Sequence, residues 1–322
     1  MNGDRVEARE RRDVDVITDD GVVLSVRDTG RPDAEHTVVF LHGLCLSRMC
    51  WARQDDNLAK DYGPAVRTIS YDHRGHGRSG HAPMSTYRIE RLAEDLAQVL
   101  EAMRVGGSVT LVGHSMGGMA ALGYLGRDVG RRPIDPAGLV LVATAAGKLR
   151  HRGLGRLLGT PATGALFGMV DHTPEQMVRA ILGPLCSTLR RWHHGASAAT
   201  LATVAADALA AASVATAVGF LPALRDYDQY DMLATIRART VVLSGGVDPL
   251  TPAVHGRDLV AGIPGAELVH LPTAGHMLPQ ESPHVVYEAI RRAIGIDSRG
   301  DLEAGARPAG LGARPAVAGV AS

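Results

Sequence analysis

The stretch SVTLVGHSMGGMAALGYL, residues 108–125, decides how the rest of the chain is read. An apolar, β-branched run leads into Gly113, His114, Ser115, Met116, Gly117 and Gly118, and helix-forming residues follow at once. A strand that becomes a helix within two residues leaves little space around the turn. Glycine two places before and two places after Ser115 meets that demand, because a larger side chain at either place would strike the turn. The serine hydroxyl then stands clear of the backbone, and the helix behind it presents unpaired N–H groups. With 38 glycines in the chain, G-x-S-x-G can arise by chance. Strand before and helix after lift it above that level.

Outward from this point, short apolar runs alternate with amphipathic stretches, the pattern of an α/β fold with a mostly parallel sheet flanked by helices. Strands are expected at 14–18, 22–28, 37–41, 67–71, 108–112, 138–143, 240–244 and 266–271. The middle ones are continuous hydrophobic runs, as in strands buried on both faces. Within 86–104, Ile89, Leu92, Leu96, Val99, Leu100 and Met103 recur at spacings of three and four and form one helical stripe. The rhythm breaks between about 148 and 222, where apolar residues recur at helical spacing only. Thr173-Pro174-Glu175-Gln176 reads there as a helix start.

The expected organisation is therefore a core from 1–147, a helical insertion at 148–222 and the rest of the core at 223–297. Residues 298–322, rich in Gly, Ala and Pro without periodicity, read as a disordered tail. A chain of 322 residues is long enough for this.

Composition narrows the class. Basic and acidic side chains balance at 34 each, which gives no footprint for nucleic acid or an anionic membrane. Cys45, Cys50 and Cys186 are odd in number and lack metal-ligand spacing, as expected in a reducing cytosol. The opening MNGDRVEARERRDVDV lacks the apolar core of a signal peptide. No apolar run has the length of a transmembrane segment, and the Ala-rich stretch 197–219 reads as a soluble helix. The expectation is a soluble, cytoplasmic protein; no interface signature indicates an oligomeric state.

A serine hydroxyl is a weak nucleophile at neutral pH, so Ser115 needs a base, and the base needs an acid to orient it. In a parallel α/β sheet both must come from loops at the carboxyl ends of strands. Of the 14 histidines, His276 lies just beyond the last expected strand. His270 lies inside that strand, while His42, His73, His76 and His114 belong to earlier turns and His151, His172, His193 and His194 to the insertion. Asp248, in VVLSGGVDPLTP, follows the penultimate strand, and the loop after the strand before it, Thr144-Ala145-Ala146-Gly147, offers no competing carboxylate. Taken alone, Asp248 would pass for a turn aspartate. The order Ser115, Asp248, His276 is that of nucleophile, acid and base in one hydrolase architecture. An oxyanion would be met by the backbone N–H of Met116 and of Leu44, the latter in the turn His42-Gly43-Leu44. His42, Gly43, His114 and Trp51 are candidate pocket residues; for Trp51 a core position is an equal alternative.

The chain resembles the α/β-hydrolase superfamily, in its serine-nucleophile, esterase- and lipase-like branch. The resemblance is carried by FLHGLCLS at 40–47, YDHRGHGRS at 71–79, VGHSMGG at 112–118, SGGVDPLTP at 244–252 and AGHMLPQESP at 274–283. It implies an eight-stranded core with a helical cap after the sixth strand, where the insertion is read. It also implies that YDHRGHGRS, for all its charge, is structural.

Chemistry then orders the reactions. Relatives that open epoxides or displace halide carry aspartate at the position of Ser115, because that ester intermediate can be cleaved by water. Serine attacking alkyl carbon would leave an ether. Serine suits acyl carbon, and the first expectation is a carboxylic ester hydrolase taking a small apolar acyl substrate and needing no metal or cofactor. A second is a C–C bond hydrolase of a ring-cleavage diketone, weakened by His114 where such enzymes often carry Asn. A prolyl-peptide hydrolase is weaker still, since Met116 stands where Trp is usual. A third, of another class, is a ligand-binding receptor on the same fold.

Overall fold

The computed structural model describes residues 10–160 and 214–295. Its centre is an eight-stranded sheet in the order β1-β2-β4-β3-β5-β6-β7-β8. The strands are β1 Arg11–Ile17, β2 Val23–Thr29, β3 His36–Leu41, β4 Val66–Tyr71, β5 Ser108–His114, β6 Gly138–Val142, β7 Arg239–Gly245 and β8 Glu267–Leu271. From β4 to β8 all neighbours are parallel, while β2 runs antiparallel to β1 and β4.

The central strands are buried on both faces, and their side chains divide by alternation. Val38 and Phe40 of β3, Val112 of β5 and Val140 and Val142 of β6 pack on one side with Leu58, Tyr62, Val286 and Ile290. Val39, Leu41, Leu111, Leu139 and Leu141 face the other side, against Leu92, Leu96, Met119 and Leu259. Helices α1 (Ala52–Tyr62) and α7 (Pro283–Ile294) therefore cover one face, and α2 (Ile89–Ala102), α3 (Met116–Leu125) and α5 (Val254–Gly262) the other. The stripe expected on 86–104 is the buried face of α2.

The first strand starts at Arg11, three residues before the expected position. Its extension is polar and exposed, so no apolar pattern could mark it. It forms through cross-strand ion pairs, Arg12 with Asp28 at 3.3 Å and Arg27 with Asp13 at 3.0 Å, in register with the ladder.

The loop YDHRGHGRS is structural, as the resemblance implies. Buried Arg74 makes two 2.7 Å hydrogen bonds to buried Asp95 of α2 and also reaches Asp20. Asp72 accepts the backbone N–H of Arg48 at 2.7 Å and of Arg78 at 3.0 Å.

Two loops meet at the centre of the sheet. The chain leaves β3 toward β4 on one side and returns to β5 on the other, so the loops after β3 and β5 face each other across this switch point. Most of the expected insertion, including Thr173–Gln176 and 197–213, lies outside the described residues, as does the tail 298–322. Its described ends are 3-10 turns at Leu149–His151 and Gly153–Gly159, and α4, Val214–Asp226. Helix α4 runs through Pro222, where the insertion was expected to end, and its Phe220 is buried in the core cluster. Among the described residues no helix is long and apolar enough to cross a membrane.

Candidate active site

Ser115 follows β5 at the N-cap position of α3, with φ 51° and ψ −118°, a positive-φ conformation that non-glycine residues rarely adopt. The surrounding chain holds it there. Its N–H donates to Val142 of β6 at 2.9 Å, and its carbonyl accepts the Thr144 hydroxyl at 2.7 Å and the Gly118 N–H at 2.9 Å. Neither flanking glycine has room for a side chain. A Cβ at Gly113 would lie 2.6 Å from the Gly118 nitrogen, and one at Gly117 would lie 2.3 Å from the Leu41 carbonyl oxygen. The tight packing of α3 on the ends of β3 and β5 is what requires G-x-S-x-G.

Three side chains far apart in sequence then meet. His276, in the loop after β8, places Nε2 3.0 Å from Ser115 Oγ and Nδ1 2.8 Å from Asp248 Oδ2. Asp248, buried in the loop after β7, accepts the N–H groups of Leu250 and Thr251 at Oδ1, at 2.8 and 3.0 Å. The Thr251 hydroxyl donates to Oδ2 at 2.7 Å. Burial pushes the Asp248 carboxyl up, but hydrogen bonds and the imidazole beside it outweigh this and hold its pKa at about 2. Asp248 is thus a fixed anion that keeps the His276 proton on Nδ1 and leaves Nε2 free to accept from the serine.

The turn after β3 closes on the same point. A Cβ added to Gly43 would sit 3.3 Å from Ser115 Cβ and 2.8 Å from His114 Nδ1. Imidazoles brace this turn. His42 Nδ1 donates to the Gly43 carbonyl at 2.8 Å, its Nε2 accepts the His73 N–H at 2.9 Å, and His76 Nε2 accepts the Cys45 N–H at 3.1 Å.

Ser115 and His276 border a cavity of about 420 Å³. Leu44, Met116, Met119, Leu221, Leu224 and Met277 are among its walls, and among the described residues no Asp, Glu, Lys or Arg lines it.

The candidate residues separate clearly. Ser115, His276, Leu44, Met116, Gly43 and His114 line the cavity, and Asp248 lies behind His276. Trp51 does not belong to the pocket. The 3-10 turn Arg48–Trp51 directs it onto the sheet, where it is buried and stacks on Phe40 at 5.2 Å. His42 is likewise buried beneath the turn and off the cavity wall, because both ring nitrogens are engaged by backbone. Thr144 and Thr251 were not singled out from sequence. For Thr251, the Asp-x-x-Thr spacing after a strand was the available signal.

This sheet, with a serine elbow, a histidine and an acid at the ends of its parallel strands, defines an α/β hydrolase. The model of the alpha/beta hydrolase fold family matches residues 36–283, and the chain belongs to that family. It is 28% identical over 267 residues to the AB hydrolase superfamily protein YisY of Bacillus subtilis, covering 81% of this chain and 91% of that one. Among solved structures, a thermophilic esterase from Thermogutta terrifontis is similar at 26% identity and TM-score 0.65, over 87% of this chain and 97% of its own. Est816, described as an N-acyl homoserine lactone degrading enzyme, is similar at 25% identity and TM-score 0.63, over 86% of this chain and 99% of its own. The chain is accordingly a hydrolase of this fold.

Proposed function

We propose that the protein hydrolyses uncharged carboxylic esters of apolar acyl groups through an acyl-enzyme on Ser115. His276 Nε2 takes the Ser115 proton as Oγ attacks the carbonyl carbon. Asp248 holds the imidazole in the required tautomer and stabilises the imidazolium that forms. The backbone N–H groups of Met116 and Leu44 receive the oxyanion, each worth on the order of 3 kcal/mol of barrier. His276 then protonates the leaving alcohol, activates water in its place, and the ester to Ser115 is hydrolysed.

The observation that carries this reading is the hydrogen-bonded chain from Ser115 to His276 to Asp248, at 3.0 and 2.8 Å, opening onto an apolar cavity. The wall also speaks to substrate charge. No cationic side chain stands among the described residues of its wall, and burying an unpaired charge is costly. That favours a neutral ester over an acidic ring-cleavage diketone.

The test is turnover of p-nitrophenyl esters from acetyl to long-chain acyl by wild type and Ser115→Ala. Turnover lost in the variant supports the serine mechanism, and equal rates in the two proteins reject it. A buried methylene is worth about 0.8 kcal/mol, so kcat/KM should rise up to about fourfold per added carbon until the cavity is full.

A further inference from the structure

In the proposed mechanism His276 moves protons in both half-reactions, so its ring must keep its place throughout. Yet it sits in a loop leaving β8, an edge strand with exposed residues. Side chains from outside the loop take up its main-chain groups. Glu281, at the end of α6 (Leu278–Glu281), accepts the Gly275 N–H at Oε2, 2.6 Å, and the Met277 N–H at Oε1, 3.0 Å. One carboxylate thus holds the residues on either side of His276. From the opposite direction, His114 Nε2 lies 2.9 Å from the carbonyl oxygen of His276.

A carbonyl oxygen only accepts, so His114 is the tautomer with its proton on Nε2. Its Nδ1 is buried without a hydrogen-bond partner, packed where a Cβ on Gly43 would intrude. Burial, with His276 nearby, lowers the His114 pKa to about 3, so this donor keeps its neutral form at neutral pH. Because His114 precedes Ser115 directly, its bond ties the main chain of the base to that of the nucleophile across 162 positions of sequence.

We propose that His114 and Glu281 are positioning residues that clamp the main chain of His276 and so hold its ring in line between Ser115 and Asp248. As a statement about catalysis this rests on the reading of Ser115 as nucleophile. As a statement about geometry it does not.

Four single variants and one double variant test it. His114→Leu removes the donor and keeps bulk, whereas His114→Gln offers an amide N–H at similar reach. Glu281→Ala removes both acceptors, and Glu281→Gln keeps one acceptor while setting an NH₂ against the other N–H. A misplacement of about 1 Å can lower a rate about 100-fold, so His114→Leu and Glu281→Ala should lose about 10- to 100-fold in kcat with KM within about threefold. His114→Gln should recover to within about threefold of wild type, with Glu281→Gln between. The double variant His114→Leu/Glu281→Ala should lose less than the product of the single losses, since both act on one loop.

A second readout needs no substrate: the low-field Nδ1 proton resonance of His276 bonded to Asp248. It should broaden in His114→Leu and Glu281→Ala and return in His114→Gln. Unchanged kcat with an unchanged resonance overturns the clamp, as does equal impairment of folded His114→Leu and His114→Gln. If wild type turns over no ester, the ester reading fails, and if Ser115→Ala keeps full activity, the nucleophile reading fails; in either case the resonance alone decides the clamp. Should His114→Leu fail to fold, the exposed Glu281 and the conservative His114→Gln carry the test.

Discussion

Replacing Gly43 with alanine probes the junction between the β3 turn and the serine elbow. Gly43 has no left-handed φ that alanine would resist, so the effect of a methyl group there is steric alone. The added Cβ would lie 2.8 Å from His114 Nδ1, whereas ordinary contact begins near 3.4 Å, so about 0.6 Å must be found. His114 cannot yield freely, because its other nitrogen is bonded to the His276 carbonyl. Ser115 Cβ, at 3.3 Å, closes the other direction. Either the turn carrying Leu44 retreats from the nucleophile or the imidazole pushes on the loop of the base. With about 100-fold lost per ångström of misplacement, kcat on a p-nitrophenyl ester should fall about 10- to 30-fold. Overpacking of this size also costs about 1–3 kcal/mol of stability, read as a lower urea midpoint. Gly130→Ala is the matched control: its Cβ would meet nothing within 4 Å, and its φ is not left-handed. It should leave kcat unchanged and stability equal or slightly higher. Wild-type kcat in Gly43→Ala, or an equal loss in Gly130→Ala, would refute the close approach of the turn to Ser115.

Three further outcomes are expected. Asp248→Asn keeps the acceptor for Leu250 and Thr251 but turns an NH₂ toward His276 Nδ1 and favours the wrong tautomer; kcat should fall about 10⁴-fold with little change in KM, and a loss below tenfold would contradict the role given to the acid. Gly117→Ala drives a Cβ to 2.3 Å from the Leu41 carbonyl oxygen in fixed backbone, so thermal unfolding should occur several degrees lower, which an unchanged midpoint would disprove. Burial lowers His36 and His42 to about 4, and His76 and His114 to about 3, below the ordinary value of 6.5. Between those values and 6.5 the unfolded chain binds more protons than the folded one, so stability rises with pH across that window and is lost as pH falls from about 6.5 toward 4. Urea midpoints that stay level from pH 7 to 4.5 would exclude these histidines as neutral buried groups.

How much of this was legible in sequence depended on the range of each interaction. The central strands were marked by local apolar runs, because strands buried on both faces are mostly apolar, and shorter apolar runs marked the rest. The polar start of β1 was not, since its cross-strand ion pairs depend on register and not on hydrophobicity. Ser115, Asp248 and His276 were legible because a parallel sheet confines such groups to a few loops in chain order. Trp51 was ambiguous, as nothing local says which way a 3-10 turn will aim a side chain. The partners of His114, Thr144 and Glu281 were hidden for a similar reason. Thr144 reaches Ser115 from the loop after β6, and His114, at the end of β5, reaches His276 in the loop after β8. Such bonds leave no periodic trace.

The central claim, a covalent acyl intermediate on Ser115, is tested most directly by trapping it. The protein would be mixed with excess p-nitrophenyl butyrate, quenched in acid within the first turnover, digested and mapped by mass spectrometry. The account requires a butyryl group on the peptide carrying Ser115, formed with a matching burst of nitrophenol and absent from Ser115→Ala. A burst with the acyl group on another residue, or steady hydrolysis that persists in Ser115→Ala, would contradict it.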